Sequence, residues 1–207
     1  MKDLAQLLST RQLTRATNIR YVRHCIPTGV STLDDFLPGR GFQRGGVTEL
    51  IGNGEVYSLA LAAMTANSAT SRCAYLSGAG LLNPLTIRER GGELSRCYFS
   101  VHSKPREMFW TAQQILGSGL VQLLIIDASH WQRGYPLVDA VAYRRLMGLS
   151  DRQGAVVLLL LQPHPRLAVI GRPCLLRLKI EEGTVTVLKC AGGAPGGQVE
   201  LAAAVAA

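Results

Sequence analysis

Short runs of consecutive apolar residues alternate along this chain with segments whose apolar positions recur every three to four residues. The runs at 47–51, 73–77, 97–101, 121–126 and 155–161 have strand length, and the segments between them at 58–69, 84–92, 105–116 and 138–149 predict helices. Strands that are apolar throughout, each followed by a helix, imply an α/β fold with a mostly parallel sheet covered by helices on both faces. Ahead of the first strand, Ile26-Pro27-Thr28-Gly29 and Leu37-Pro38-Gly39-Arg40-Gly41 are turn sequences around a short helix at 31–36. Behind the last, the runs 175–180 and 184–189, joined through Glu182-Gly183, predict a C-terminal β-hairpin. The remainder, 191–207, is rich in Gly and Ala, carries no basic side chain and reads as a mobile tail. At the front, Leu4, Leu7 and Leu8 share one helical face, with Arg11 and Arg15 near the same stripe. The chain thus divides into a basic amphipathic helix and linker at 1–24, a core at 25–190 and a tail at 191–207, with no internal repeat.

Composition supports one core domain: 207 residues, 47% of them hydrophobic, can bury a sizeable interior. The longest apolar run, 155–161, is far shorter than the roughly 20 residues of a membrane-spanning helix, and residues 1–30 mix basic side chains among the leucines. A cytoplasmic protein is expected. Five scattered cysteines without a CxxC pair read as reduced and mostly buried filler, not as a zinc or redox site, so no metal is expected. Lys and Arg outnumber Asp and Glu by 22 to 14, and residues 1–24 supply half of the +8 net charge, which suits a polyanion or an acidic protein surface.

In an α/β sheet, ligands bind beyond the carboxyl ends of the strands, so the turn after the first core strand is the first place to look for chemistry. It reads Gly52-Asn53-Gly54-Glu55-Val56-Tyr57-Ser58. A phosphate loop needs GxxxxGK[ST]: glycines to aim backbone N–H groups, a lysine to neutralise phosphate and a hydroxyl for magnesium. Counted from Gly52, the second glycine falls on Tyr57, the lysine on Ser58 and the hydroxyl on Leu59. Only the first glycine survives, and no lysine occurs between Lys2 and Lys104.

The runs Ile26-Pro27-Thr28-Gly29-Val30-Ser31-Thr32-Leu33-Asp34 and Gly41-Phe42-Gln43-Arg44-Gly45-Gly46-Val47-Thr48-Glu49-Leu50-Ile51-Gly52 resemble the entry to the RecA recombinase core. The resemblance extends over about residues 26–190. It makes Leu123-Leu124-Ile125-Ile126-Asp127 similar to the Walker B strand, and Gln162 similar to the strand-end glutamine that senses the γ-phosphate. The segment Ser77-Gly78-Ala79-Gly80-Leu81-Leu82-Asn83-Pro84 then corresponds to the one that carries the catalytic glutamate, with Ala79 in its place. With the phosphate-loop lysine and this glutamate both missing, the resemblance implies no ATP hydrolysis, no catalytic residue and no cofactor. What remains is a vestigial nucleotide site of Gly52, Gly54, Ser58, Asp127 and Gln162.

In RecA-like proteins the loops after the Walker B and glutamine strands line the DNA. The resemblance therefore implies DNA contacts from His130, Trp131, Arg133 and Tyr135 in the first loop and His164, Arg166 and Arg172 in the second. Aromatic side chains beside cations suit base stacking with phosphate contact. Arg144 and Arg145, on the helix at 138–149, read as a solvated face.

A stripped RecA core behind a basic, leucine-containing helix resembles the ImuA family of SOS-mutagenesis accessory proteins. That family implies a non-catalytic role in error-prone translesion synthesis, with a RecA-type recombinase, a Y-family-polymerase-like protein and an error-prone replicative polymerase as partners and single-stranded DNA as a further ligand. Leu4, Leu7, Leu8, Arg11 and Arg15 are the partner-binding candidates. Two other readings are a SulA-like cell-division inhibitor and a RecA-type DNA-dependent ATPase with an atypical site.

Overall fold

The computed structural model describes residues 24–78, 80, 82–130, 140–163, 173–191, 193 and 195–201. Two short strands, β1 (Cys25–Ile26) and β2 (Phe42–Gln43), pair antiparallel around helix α1 (Ser31–Phe36). The core then runs β3 (Gly46–Gly52), α2 (Gly54–Ser68), β4 (Cys73–Ser77), α3 (Leu85–Glu89), β5 (Cys97–Val101), α4 (Pro105–Ser118), β6 (Leu123–Asp127), α5 (Ala140–Gln153) and β7 (Val156–Leu161). It closes with β8 (Leu176–Glu181), β9 (Thr184–Cys190) and β10 (Gln198–Glu200).

One eight-stranded sheet, ordered β10-β9-β8-β3-β7-β6-β4-β5, organises the molecule. From β8 to β5 the strands are parallel, whereas β8, β9 and β10 form an antiparallel end. The expected mixed α/β architecture with a C-terminal hairpin is thus present. Every residue of β3, β4, β6 and β7 is buried, as strands covered on both faces must be. The edge strand β5 is only half covered.

Side-chain alternation splits the core into two layers. One joins Leu50, Tyr75, Ile125, Leu158, Leu178 and Val185 to α1, α2 and α3. The other joins Val47, Leu76, Ile126 and Leu159 to α4 and α5. Helix α2 is buried on nearly all sides, because the segment 26–37 packs over its outer surface. That docking explains Thr28, Gly29 and Asp34. Asp34 Oδ1 accepts the Thr28 N–H at 2.8 Å, and Gly29, at φ +82°, lies so close to α2 that a Cβ would collide with the Ala62 carbonyl.

Several boundaries differ from those read in the sequence. Helix α2 begins at Gly54, not at 58, because Val56 is fully buried and draws the first turn onto the sheet. Helix α5 runs on to Gln153, its last turns anchored by buried Leu146 and Ser150. Residues 198–200, expected in a mobile tail, instead add β10 to the sheet. Their three-residue alternation is too short to stand out in a Gly/Ala-rich stretch, and it is fixed by pairing with 184–186.

Candidate functional site

The topology brings the residues expected to form a vestigial nucleotide site to one edge of the sheet. Strands β3, β7 and β6 are neighbours, and Ile51 pairs with Leu161 while Leu160 pairs with Asp127. The Gly52 turn, Gln162 and Asp127 therefore end three adjacent strands, spaced about 5 Å apart. Gln162 is exposed, and Ser58 is half-buried on α2.

At the turn itself, β3 ends at Gly52 and α2 begins at Gly54, so Asn53 alone connects them. Tyr57, Ser58 and Leu59, which sequence counting sets at the glycine, lysine and hydroxyl positions, are all inside the helix. No loop remains to wrap a phosphate. Gly52 is retained for packing: a Cβ there would stand 2.5 Å from the Ile180 carbonyl oxygen and 2.9 Å from a Val56 methyl. Gly54 has open space around its Cα.

The first turn of α2 also carries a carboxylate that the protein itself binds. Glu55 Oε1 accepts the Gly183 N–H at 2.6 Å, tying α2 to the β8–β9 turn. Beside it opens a cavity of about 1070 Å³ whose lining includes Asn53, Ser58, Glu55, Glu181, Glu182 and Lys179. Lys179 pairs with Glu181 at 2.7 Å. Three carboxylates against one paired ammonium make this cavity repel a polyphosphate.

Asp127 is fully buried and surrounded by donors. Its Oδ1 accepts the Ser129 N–H at 3.1 Å and the Ser129 hydroxyl at 2.5 Å, and its Oδ2 accepts the Tyr75 hydroxyl at 3.1 Å and the Ser77 hydroxyl at 3.3 Å. Tyr57 Oη approaches Ser129 Oγ at 2.6 Å, and Ser77 Oγ accepts the Gly80 N–H at 3.1 Å. Burial raises the Tyr57 and Tyr75 phenols above their ordinary range, and the Asp127 charge adds to both shifts. The two phenols therefore stay protonated as donors. A carboxylate that satisfies four protein donors has no free edge turned to a metal. These residues do not fit a magnesium-bound nucleoside triphosphate.

A second buried charge lies on β3. Glu49 faces Arg177 across the β3–β8 pair, Nε to Oε2 at 2.6 Å, and Tyr143 of α5 donates to Glu49 Oε1 at 3.1 Å. This ion pair fixes the register of β8 and anchors α5 to the sheet. A glutamate inside the run Val47-Thr48-Glu49-Leu50-Ile51 was the signal for it, since a carboxylate on a covered strand requires a partner.

Of the expected DNA contacts, His130 is exposed three residues beyond the end of β6. Trp131, Arg133, Tyr135, His164, Arg166 and Arg172 lie outside the described residues, as do Ala79 and the partner-binding candidates Leu4, Leu7, Leu8, Arg11 and Arg15. The described stems of the two loops expected to contact DNA leave adjacent strands at the same sheet edge, and the Ala128 N–H donates to the Leu160 carbonyl between them. No helix among the described residues is long and apolar enough to cross a membrane. Compared with known proteins, the chain matches no family model and no curated protein.

Proposed function

We propose that the chain is a non-catalytic RecA-like accessory protein of SOS mutagenesis, acting in the cytoplasm in error-prone translesion DNA synthesis. In this reading it bridges a Y-family-polymerase-like protein, an error-prone replicative polymerase and a RecA-type recombinase, with single-stranded DNA as a further ligand. The observation that carries it is the closed network around Asp127. The strand end that resembles the Walker B motif is occupied by donors from Tyr75, Ser77 and Ser129, which supports a reading in which internal bonds take the place of nucleotide chemistry. The resemblance at 26–52 supplies the family, and the basic leucine-bearing segment at 1–24 supplies the contact.

The experiment is direct binding of the purified chain to the purified recombinase and polymerase-like protein, with and without residues 1–24. Capture of either partner by the full chain, lost on deletion while the melting temperature holds, supports the reading. Failure of the full chain to bind either partner, or undiminished capture after deletion, contradicts it. Binding instead to the tubulin-like division GTPase would favour the SulA-like alternative.

A further inference from the structure

On the face of the sheet away from α2, helices α4 and α5 lie side by side, and a groove of about 590 Å³ runs along their outer surface. Gln113 bounds it on the α4 side, and α5 contributes Val141, Arg144, Arg145, Gly148, Leu149 and Arg152. We propose that this groove docks an acidic amphipathic helix of a partner protein. The inference does not depend on the function proposed above.

Three features select that occupant. The first is an apolar floor: Val141 is 49% exposed, and half-buried Leu149 lies two turns further along the same helix. The second is the rim, where all three arginines are exposed, no carboxylate is among the described lining residues, and none among the described residues pairs with them. Arg152 reaches back along α5, its Nη1 only 3.7 Å from where a Cβ on Gly148 would stand, so a guanidinium lies over the residue with no side chain. The third is spacing. Arg145 and Arg152 are separated by about 10 Å along the helix axis, a distance that two carboxylates two turns apart on a facing helix can match.

A nucleic acid suits the groove less well. A base has nothing to stack on there, since no aromatic ring is among the described lining residues, and the floor is apolar. The chain cannot provide the occupant from its undescribed segments, whose only acids are Asp3 and Asp139. Complementary charge therefore points to another protein, one that presents leucine-like anchors flanked by carboxylates.

The test is fluorescence anisotropy on the full chain with three labelled probes: a synthetic helix with leucine on one face and glutamate on its flanks, a scrambled peptide of the same composition, and a thymidine oligonucleotide. The helix is expected to bind saturably and more tightly than the scrambled peptide. Its affinity should fall about tenfold or more with Arg152→Glu, with Arg144→Glu plus Arg145→Glu, and with Val141→Asp, while the melting temperature holds. Absence of saturable helix binding, equal binding of the two peptides, or a complex indifferent to these substitutions overturns the proposal. Oligonucleotide binding that the same substitutions abolish, without helix binding, would make the groove a nucleic-acid contact. Self-association abolished by them, again without helix binding, would make it an interface between copies.

Discussion

Tyr57 Oη lies 2.6 Å from Ser129 Oγ, and because Ser129 directs its own proton to Asp127, the phenol is the donor of this bond. Tyr57 stands where sequence counting sets the second glycine of a phosphate loop. The side chain that departs from the motif is thus the one that closes the site: it links the first turns of α2 to the end of β6. Tyr57 of α2 and Ser129, just past β6, thus hold these two elements together at the strand ends.

Removing the carboxylate at the centre of this network should cost stability. Asp127→Ala leaves the Tyr75, Ser77 and Ser129 donors facing a buried gap, and a loss of about 2–4 kcal/mol is expected in urea unfolding. Magnesium should not change the melting temperature of either protein. A variant as stable as the parent, together with a parent that magnesium stabilises, would show that Asp127 is held for a metal.

The two glycines of the turn should behave differently. Gly52→Ala forces β8 and Val56 aside and should cost about 1–3 kcal/mol, whereas Gly54→Ala, in open space at the start of α2, should be neutral or stabilising by up to about 1 kcal/mol. Denaturant midpoints decide it. Equal sensitivity at both positions would argue for a backbone requirement of the kind a phosphate imposes.

Much of the architecture was legible in the sequence because covered parallel strands are apolar at every position. The limits of β4 and β5 coincide with those read from the sequence, and the β8–β9 hairpin follows from Glu182-Gly183, both of which take left-handed φ in the turn. The site was legible by position but not by content. Asp127 and Gln162 could be placed at strand ends, yet nothing in their spacing shows that Tyr75 and Ser77, one strand away, turn their hydroxyls onto Asp127. Such contacts arise from strand order, with β6 beside β4, and strand order is not written in local periodicity. The short strands β1, β2 and β10 were missed for a related reason: two or three residues carry no period, and only tertiary packing makes them strands.

Alkaline pH should destabilise the fold. Burial pushes the Cys73 thiol up to about 12 from the usual 9.0, with nearby Cys97 adding to the shift, and raises the Tyr75 phenol in the same direction. The folded state then keeps protons that the unfolded chain releases. Stability should be level below pH 9.0 and fall as pH rises above it, through the folded thiol's range. Thermal melts in reducing buffer from neutral to strongly alkaline pH test this. The Cys73→Ala variant, less stable throughout, should show a shallower alkaline slope, and an unchanged slope would assign the effect elsewhere.

The most direct measurement is isothermal calorimetry of the full chain with ATP and magnesium. With Asn53 the only residue between β3 and α2, an acidic cavity beside the turn and Asp127 fully bonded, no saturable heat is expected at any physiological nucleotide concentration. A micromolar dissociation constant, or DNA-stimulated phosphate release that Asp127→Ala abolishes, would contradict the proposal that the strand ends of β3 and β6 serve internal packing and not nucleotide chemistry.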